Sequence, residues 1–213
     1  MEILKSCLNR RVQLRLFCFL LATGAALFLL AFFAIHEQKA AFSACNMNLQ
    51  NGDLVFIRCR TWRSFIIRFI DNMDDYSHVG IVRIVNGVPN VIHASPEAEV
   101  VQLESLVDFM SPTNAEHSGV YRLKDSQLIA EAASLSAWNY FERKTSFDYK
   151  FDIKHDNALY CTELIWRAYE QAGIDLSVGE EDFLYDSAIY GKVLMPARLS
   201  RCRYLVKIEE GIH

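Results

Sequence analysis

The sequence predicts an α+β domain, a mostly antiparallel sheet packed against helices, preceded by one N-terminal transmembrane helix. Three observations carry this. Apolar runs of strand length alternate with turn signals from Leu54 to Leu123, two helical stretches follow, and an uncharged run of membrane-spanning length lies near the front of the chain.

The front end explains the high apolar content of 52%. No charge occurs from Leu16 to Ile35, and roughly twenty residues at about 1.5 Å each cross the ~30 Å hydrocarbon core of a bilayer. Lys5, Arg10, Arg11 and Arg15 precede the run and only Lys39 follows shortly after. The excess of basic residues places the N-terminus in the cytoplasm and the remainder outside. A signal peptide is the competing reading, because Ala41-Phe-Ser-Ala-Cys45 loosely resembles a cleavage or lipidation site. The apolar run is longer than a cleavable one, and His36, Glu37 and Lys39 separate it from Cys45. The chain is therefore divided into a cytoplasmic tail (1–15), an anchor (16–36) and a domain (45–213). The expected location is membrane-anchored, with the domain extracytoplasmic, in the periplasm or cell envelope.

Beyond the anchor, roughly 170 residues suit one compact domain. Asn51-Gly-Asp53 is a turn, and Leu54-Val-Phe-Ile-Arg-Cys59 follows as a strand. Trp62, Phe65, Ile66 and Phe69 recur at helical spacing, which predicts a short helix over 62–70. Ser77 to Val85 reads as a strand, Asn86-Gly87 as a hairpin turn, and Val88 to Ser95 as the returning strand. Glu99 to Leu103 and Ser118 to Leu123 extend the sheet. Helices are predicted from Ser126 to Phe141 and from Cys161 to Ala172, the second stopped by Gly173. Tyr204 to Ile208 supplies a last strand.

A net charge of −4 with no Lys/Arg cluster in the domain gives no footprint for nucleic acid. Six cysteines at 7, 18, 45, 59, 161 and 202 form neither a C-x-x-C pair nor a dense disulfide framework. Cys59, Cys202 and Cys45 have open pairing possibilities, and an oxidising compartment makes an unpaired Cys161 notable.

Cys161 opens an amphipathic helix, where aligned peptide dipoles and N–H groups favour a thiolate. Leu164, Ile165, Ala168 and Ala172 continue its stripe, so the thiol is expected to face the sheet. His78 lies far upstream on a strand and is the candidate base. A two-residue turn at Asn86-Gly87 sets Gly80 opposite His93, which makes His78 and His93 diagonal neighbours on one face. Gly80 then leaves room for the His78 ring. A loop lengthened by Pro89 would separate the rings. Cys161, His78 and His93 thus form the candidate catalytic set, with no cofactor required.

Other readings remain open at this stage. The same three residues are metal-ligand types, and a fourth such as Asp53 would complete a zinc site, although the spacing signatures are absent. A binding module without turnover and an acyltransferase are further alternatives. Glu163 suits the first turn as a structural charge, and Asp53 suits a turn-shaping role. His117 and His155 are expected to be solvated. Tyr76 and Tyr160 are expected to pack.

Four blocks in order carry a resemblance: Gly52-Asp-Leu-Val-Phe56, Asp75-Tyr-Ser-His-Val-Gly80, Val91-Ile-His-Ala94 and Tyr160-Cys-Thr-Glu-Leu164. Together they resemble the YiiX-like permuted papain-fold amidases, relatives of the NlpC-type peptidases, in which the histidine strand precedes the cysteine helix. The resemblance implies a permuted papain-like fold, Cys161 as nucleophile, His78 as base and a polar residue orienting the imidazole. Two departures stand out. His93 occupies a position where glutamate is expected, and Phe147 one where tyrosine is expected. The implied partner is an amide- or acyl-containing small molecule, lipid or peptide, met at a membrane surface.

Overall fold

The computed structural model describes residues 47–60, 76–177, 184–187 and 191–212. The predicted anchor at 16–36, the predicted helix at 62–70, and Cys7, Cys18 and Cys45 lie outside the described residues. Among the described residues no helix is long and apolar enough to cross a membrane. From Asn46 onward the chain forms one compact unit.

Elements are numbered as they occur among the described residues. Strands β1 (Leu54–Cys59), β2 (His78–Val85), β3 (Val88–Ser95) and β4 (Val100–Ser105) lead to a one-turn helix α1 (Leu106–Phe109) and then β5 (Ala115–Leu123). Helix α2 (Gln127–Glu142), the short strands β6 (Ser146–Phe147) and β7 (Ala158–Leu159), and helix α3 (Cys161–Gln171) follow. The chain finishes with β8 (Leu184–Ser187), β9 (Gly191–Leu194), helix α4 (Pro196–Leu199) and β10 (Leu205–Ile212). Eight strands form one sheet in the order β10-β5-β1-β2-β3-β4-β6-β7, and β8 pairs with β9 separately. Every pairing in the large sheet is antiparallel except β6 with β7. The predicted α+β class, strands β1 to β5 and β10, and both long helices agree with this architecture. The one-turn helices and strands β6 to β9 are additions, each too short to show a periodicity.

Register follows from the turn between β2 and β3. Asn86 and Gly87 both have positive φ, 52° and 79°, as a type I′ turn requires, and Val85 pairs with Val88. Pro89 is accommodated opposite Ile84 because that pair does not exchange ladder bonds; the Ile84 N–H turns away and donates to Asn51 Oδ1 at 2.6 Å. The sheet therefore has two definite faces. Leu54, Phe56, Ile81 and Ile92 share a buried cluster with Leu164, Ile165 and Ala168 of α3 and with Ala130, Ala133 and Ala137 of α2. Small alanines let α2 lie close enough for Ser134 Oγ to donate to Val82 O at 2.8 Å. On the opposite face Val55, Ile57, Val82 and Val91 are buried, and α1 brings Phe109 to that side.

The turn before β1 locks the sheet to the helices. Gly52 has φ +91°, and a Cβ there would collide with the Ala130 carbonyl. The Gly52 carbonyl also accepts the Tyr169 hydroxyl of α3 at 2.6 Å. Asp53 is buried and takes Arg122 on both oxygens, Nε at 2.8 Å and Nη2 at 2.7 Å. Its turn-shaping role is visible in the Gln50 N–H donated to Oδ2 at 2.7 Å. Gly52→Ala combines left-handed strain with a backbone collision, so we expect it to destabilise the domain by at least about 2 kcal/mol in chemical denaturation.

Candidate active site

The three candidate residues arrive from different elements at one end of the sheet, where β1 and β3 finish and β2 begins. Ile57 pairs with His78 and Val55 with Gly80, which puts His78 on the α1 face. The β2/β3 register carries Gly80 to a position opposite His93, and a Cβ at Gly80 would strike the Val91 side chain and stand 3.1 Å from His93 Cβ. Room left by this glycine lets the imidazoles meet, with His78 Nε2 2.8 Å from His93 Nδ1. The rings are nearly perpendicular, at 82°, and Phe109 packs against both.

His93 is itself held from β4. Gln102 stands directly opposite it in the ladder, and Glu104 two residues further shares the same face. His93 Nε2 lies 3.0 Å from Glu104 Oε2 and 3.0 Å from Gln102 Nε2. The His93 side chain is 6% exposed and that of Glu104 25%. Neither Glu104 nor Gln102 is singled out by the sequence, since the turn joining β3 to β4 carries no signal that fixes their register.

Cys161 comes from the first position of α3, the helix that packs on the other face of the sheet. It is buried and forms no disulfide. Cys161, His78 and His93 line one cavity of about 260 Å³ together with Glu104, Gln102 and Glu97. Ile57, Pro96, Phe109, Phe147 and Phe151 give it an apolar wall. Phe147, at the position where tyrosine is expected, contributes a ring there. Among the described residues no hydrogen bond joins Cys161 to His78. Reacting groups in a resting site are often loosely placed before substrate binds.

The electrostatics correct one sequence expectation. The helix start favours ionisation of Cys161, but burial pushes its thiol up to about 12, against partial relief from the N–H groups of Val79, Thr162 and Cys161 itself. Loss of water around the sulfur outweighs these donors, those at the helix start included. Desolvation wins. Burial, and secondly the neighbouring His93, holds His78 well below the usual imidazole range. The resting pair is a neutral thiol and a neutral imidazole.

The remaining candidates sit elsewhere. Glu163 is fully buried and 3.5 Å from Arg167 Nε, and desolvation pushes its carboxyl up to about 8. It does not line the cavity, in keeping with a structural role. Tyr160 is buried, and its hydroxyl accepts the Leu194 N–H at 3.0 Å. Tyr76 packs against Phe56. His117 is not simply solvated: it stacks on Tyr76 at 14° and pairs with Glu210 at 3.2 Å. His155 is exposed and lines a separate cavity beside Asp148 and Asp152. Asp53, held by Arg122, lies apart from the thiol and imidazoles and is not a fourth ligand with them.

A histidine strand placed before a cysteine helix, with thiol and imidazole lining one cavity, defines a papain-like cysteine hydrolase of permuted order. The model of a family described as permuted papain-like amidase enzyme, YaeF/YiiX, C92 family, matches residues 48–191, and the chain belongs to that family. A crystal structure described as metalloprotein yiiX from Escherichia coli O157:H7 superimposes with a TM-score of 0.66 at 22% identity, covering 78% of this chain and 100% of that one. At that identity the likeness shows the fold. No curated protein matches the chain.

Alkylation tests the protonation state directly. Because the Cys161 pKa is raised, its thiolate fraction at neutral pH is small and increases about tenfold per pH unit well into the alkaline range. Iodoacetamide modification of Cys161, followed by mass spectrometry, is expected to accelerate from pH 7 to pH 10 without a plateau near neutrality.

Proposed function

We propose that this amidase-family enzyme cleaves an amide, or a related thioester or ester, through an acyl-enzyme on Cys161. The observation that carries the reading is the cavity that the Cys161 thiol shares with two hydrogen-bonded imidazoles. His78 takes the thiol proton as sulfur attacks the carbonyl, because a thiolate formed in advance would be costly in this buried setting. In this scheme N–H groups at the start of α3 donate to the developing oxyanion. His78 then protonates the leaving amine, and water resolves the acyl-enzyme with His78 again as base. His93 orients the His78 ring through its 2.8 Å contact.

The apolar wall suits an acyl group with little charge near the scissile bond. The uncharged run from Leu16 to Ile35 supports a membrane-tethered enzyme, with its domain on the extracytoplasmic side and an envelope, lipid-linked or peptidoglycan-derived substrate. An acyltransferase would use the same Cys161 intermediate and differ only in the acceptor. The structural neighbour yiiX is described as a metalloprotein. The residues at this site do not fit a metal: both ring nitrogens of His93 are engaged by protein groups, and no set of three His, Cys, Asp or Glu ligands converges among the described residues.

Incubation with envelope extracts followed by mass spectrometry is expected to find an acyl group on Cys161, the mass of which separates a fatty acyl chain from a peptide. Once a substrate is in hand, Cys161→Ala should reduce turnover to background. His93→Ala should cost about 10- to 100-fold in kcat, at the low end of or below the about 10²- to 10⁴-fold expected for loss of the base. Equal turnover by the Cys161→Ala protein and the wild type would overturn the reading.

A further inference from the structure

We propose that Glu104 is a positioning residue that sets the tautomers of both histidines, so that the carboxylate missing beside His78 acts from one strand further away through His93. The inference rests on the cysteine-hydrolase reading above. Its basis is a continuous line of contacts: His78 Nε2 to His93 Nδ1 at 2.8 Å, then His93 Nε2 to Glu104 Oε2 at 3.0 Å.

A carboxylate only accepts hydrogen bonds, whereas a neutral imidazole has one N–H and one lone pair. With Glu104 at its far nitrogen, His93 carries its proton on Nε2 and presents a lone pair at Nδ1. That lone pair requires an N–H on His78 Nε2, which leaves His78 Nδ1 as the nitrogen able to accept a proton from Cys161. The opposite arrangement is also within reach. If the Gln102 amide donates to His93 Nε2 across their 3.0 Å contact, His93 carries its proton on Nδ1 and donates it to His78 Nε2. His78 Nδ1 then bears the hydrogen and is no base. Glu104 and Gln102 thus compete for one ring nitrogen and favour opposite tautomers. When Glu104 prevails, the Gln102 amide turns its carbonyl toward the ring and both side chains accept.

The ionisable groups lining the cavity with His78 are His93 on β3, Glu104 on β4, Glu97 in the turn between them, Cys59 on β1 and Cys161 on α3. Among them Glu104 is the carboxylate bonded to the imidazole pair. Its charge also stabilises the cation formed when His78 takes the thiol proton. Loss of that charge makes His78 less basic.

The test uses 4-nitrophenyl acetate as probe. Attack by the Cys161 sulfur forms the acetyl thioester, expels 4-nitrophenolate and leaves the thiol proton on His78. Glu104→Gln, which keeps the side-chain shape, is expected to slow acetylation of Cys161 about tenfold or more and to move the acid limb of its pH–rate profile to lower pH. Nitrogen-15 NMR of histidine-labelled protein is expected to show His93 passing from the Nε2–H to the Nδ1–H form. The charge-relocated variant Gln102→Glu/Glu104→Gln is expected to restore both readouts. Slower acetylation with unchanged tautomers, or acetylation within twofold of wild type, would overturn the proposal, as would a relocated carboxylate that restores neither readout. If the Cys161→Ala protein releases nitrophenolate as fast as wild type, the hydrolase reading fails, and the NMR tautomers still decide the role of Glu104.

Discussion

The register of one hairpin governs this site. A two-residue turn at Asn86-Gly87 fixes Val85 opposite Val88, and five residues back along β2 the same count puts Gly80 beside His93. A slip of one residue would turn every side chain of the strand to the other face and take His93 away from His78. The turn is specified by residue types that tolerate positive φ at both central positions, so the relation between the two imidazoles is set locally, about seven residues from where it is used. Gly80 completes the device, since a side chain there would occupy the space that the contact needs.

Much of this was legible because the controlling signals are short-range. Alternating apolar runs, the Asn-Gly pair and the helical stripe behind Cys161 each act within a few residues, and they gave β1 to β5, both long helices and the His78–His93 contact. Ordered blocks gave the permuted papain-like resemblance. Glu104 was not legible for a physical reason. The connection from Ser95 to Val100 contains Pro96 and a positive φ at Glu99, and no two-residue hairpin turn fixes the β3/β4 register in advance. Which β4 residue would meet His93 depended on tertiary pairing.

The protonation state of Cys161 is not legible in the sequence for a related reason. Sequence places Cys161 at a helix start and displays the dipole, a local effect. It does not display how completely β2, α3 and the cavity wall exclude water from the sulfur. Burial depends on many residues distant along the chain, and here it exceeds the dipole.

The raised Cys161 thiol and the role proposed for Glu104 belong together. A thiolate–imidazolium pair maintained at rest would require a charged cavity, whereas the wall supplied by Ile57, Pro96, Phe109, Phe147 and Phe151 is apolar. In the proposed reaction charge separates only in the transition state, with the thiol proton on His78 and negative charge on the carbonyl oxygen near the helix start. In that scheme His93 stands between the His78 ring and Glu104, a side chain that is a quarter exposed and meets water at the cavity margin. A glutamate at the His93 position would place a buried anion against His78 throughout the cycle. Interposing an imidazole moves that anion to the margin of the cavity and keeps the hydrogen-bonded line from base to carboxylate intact.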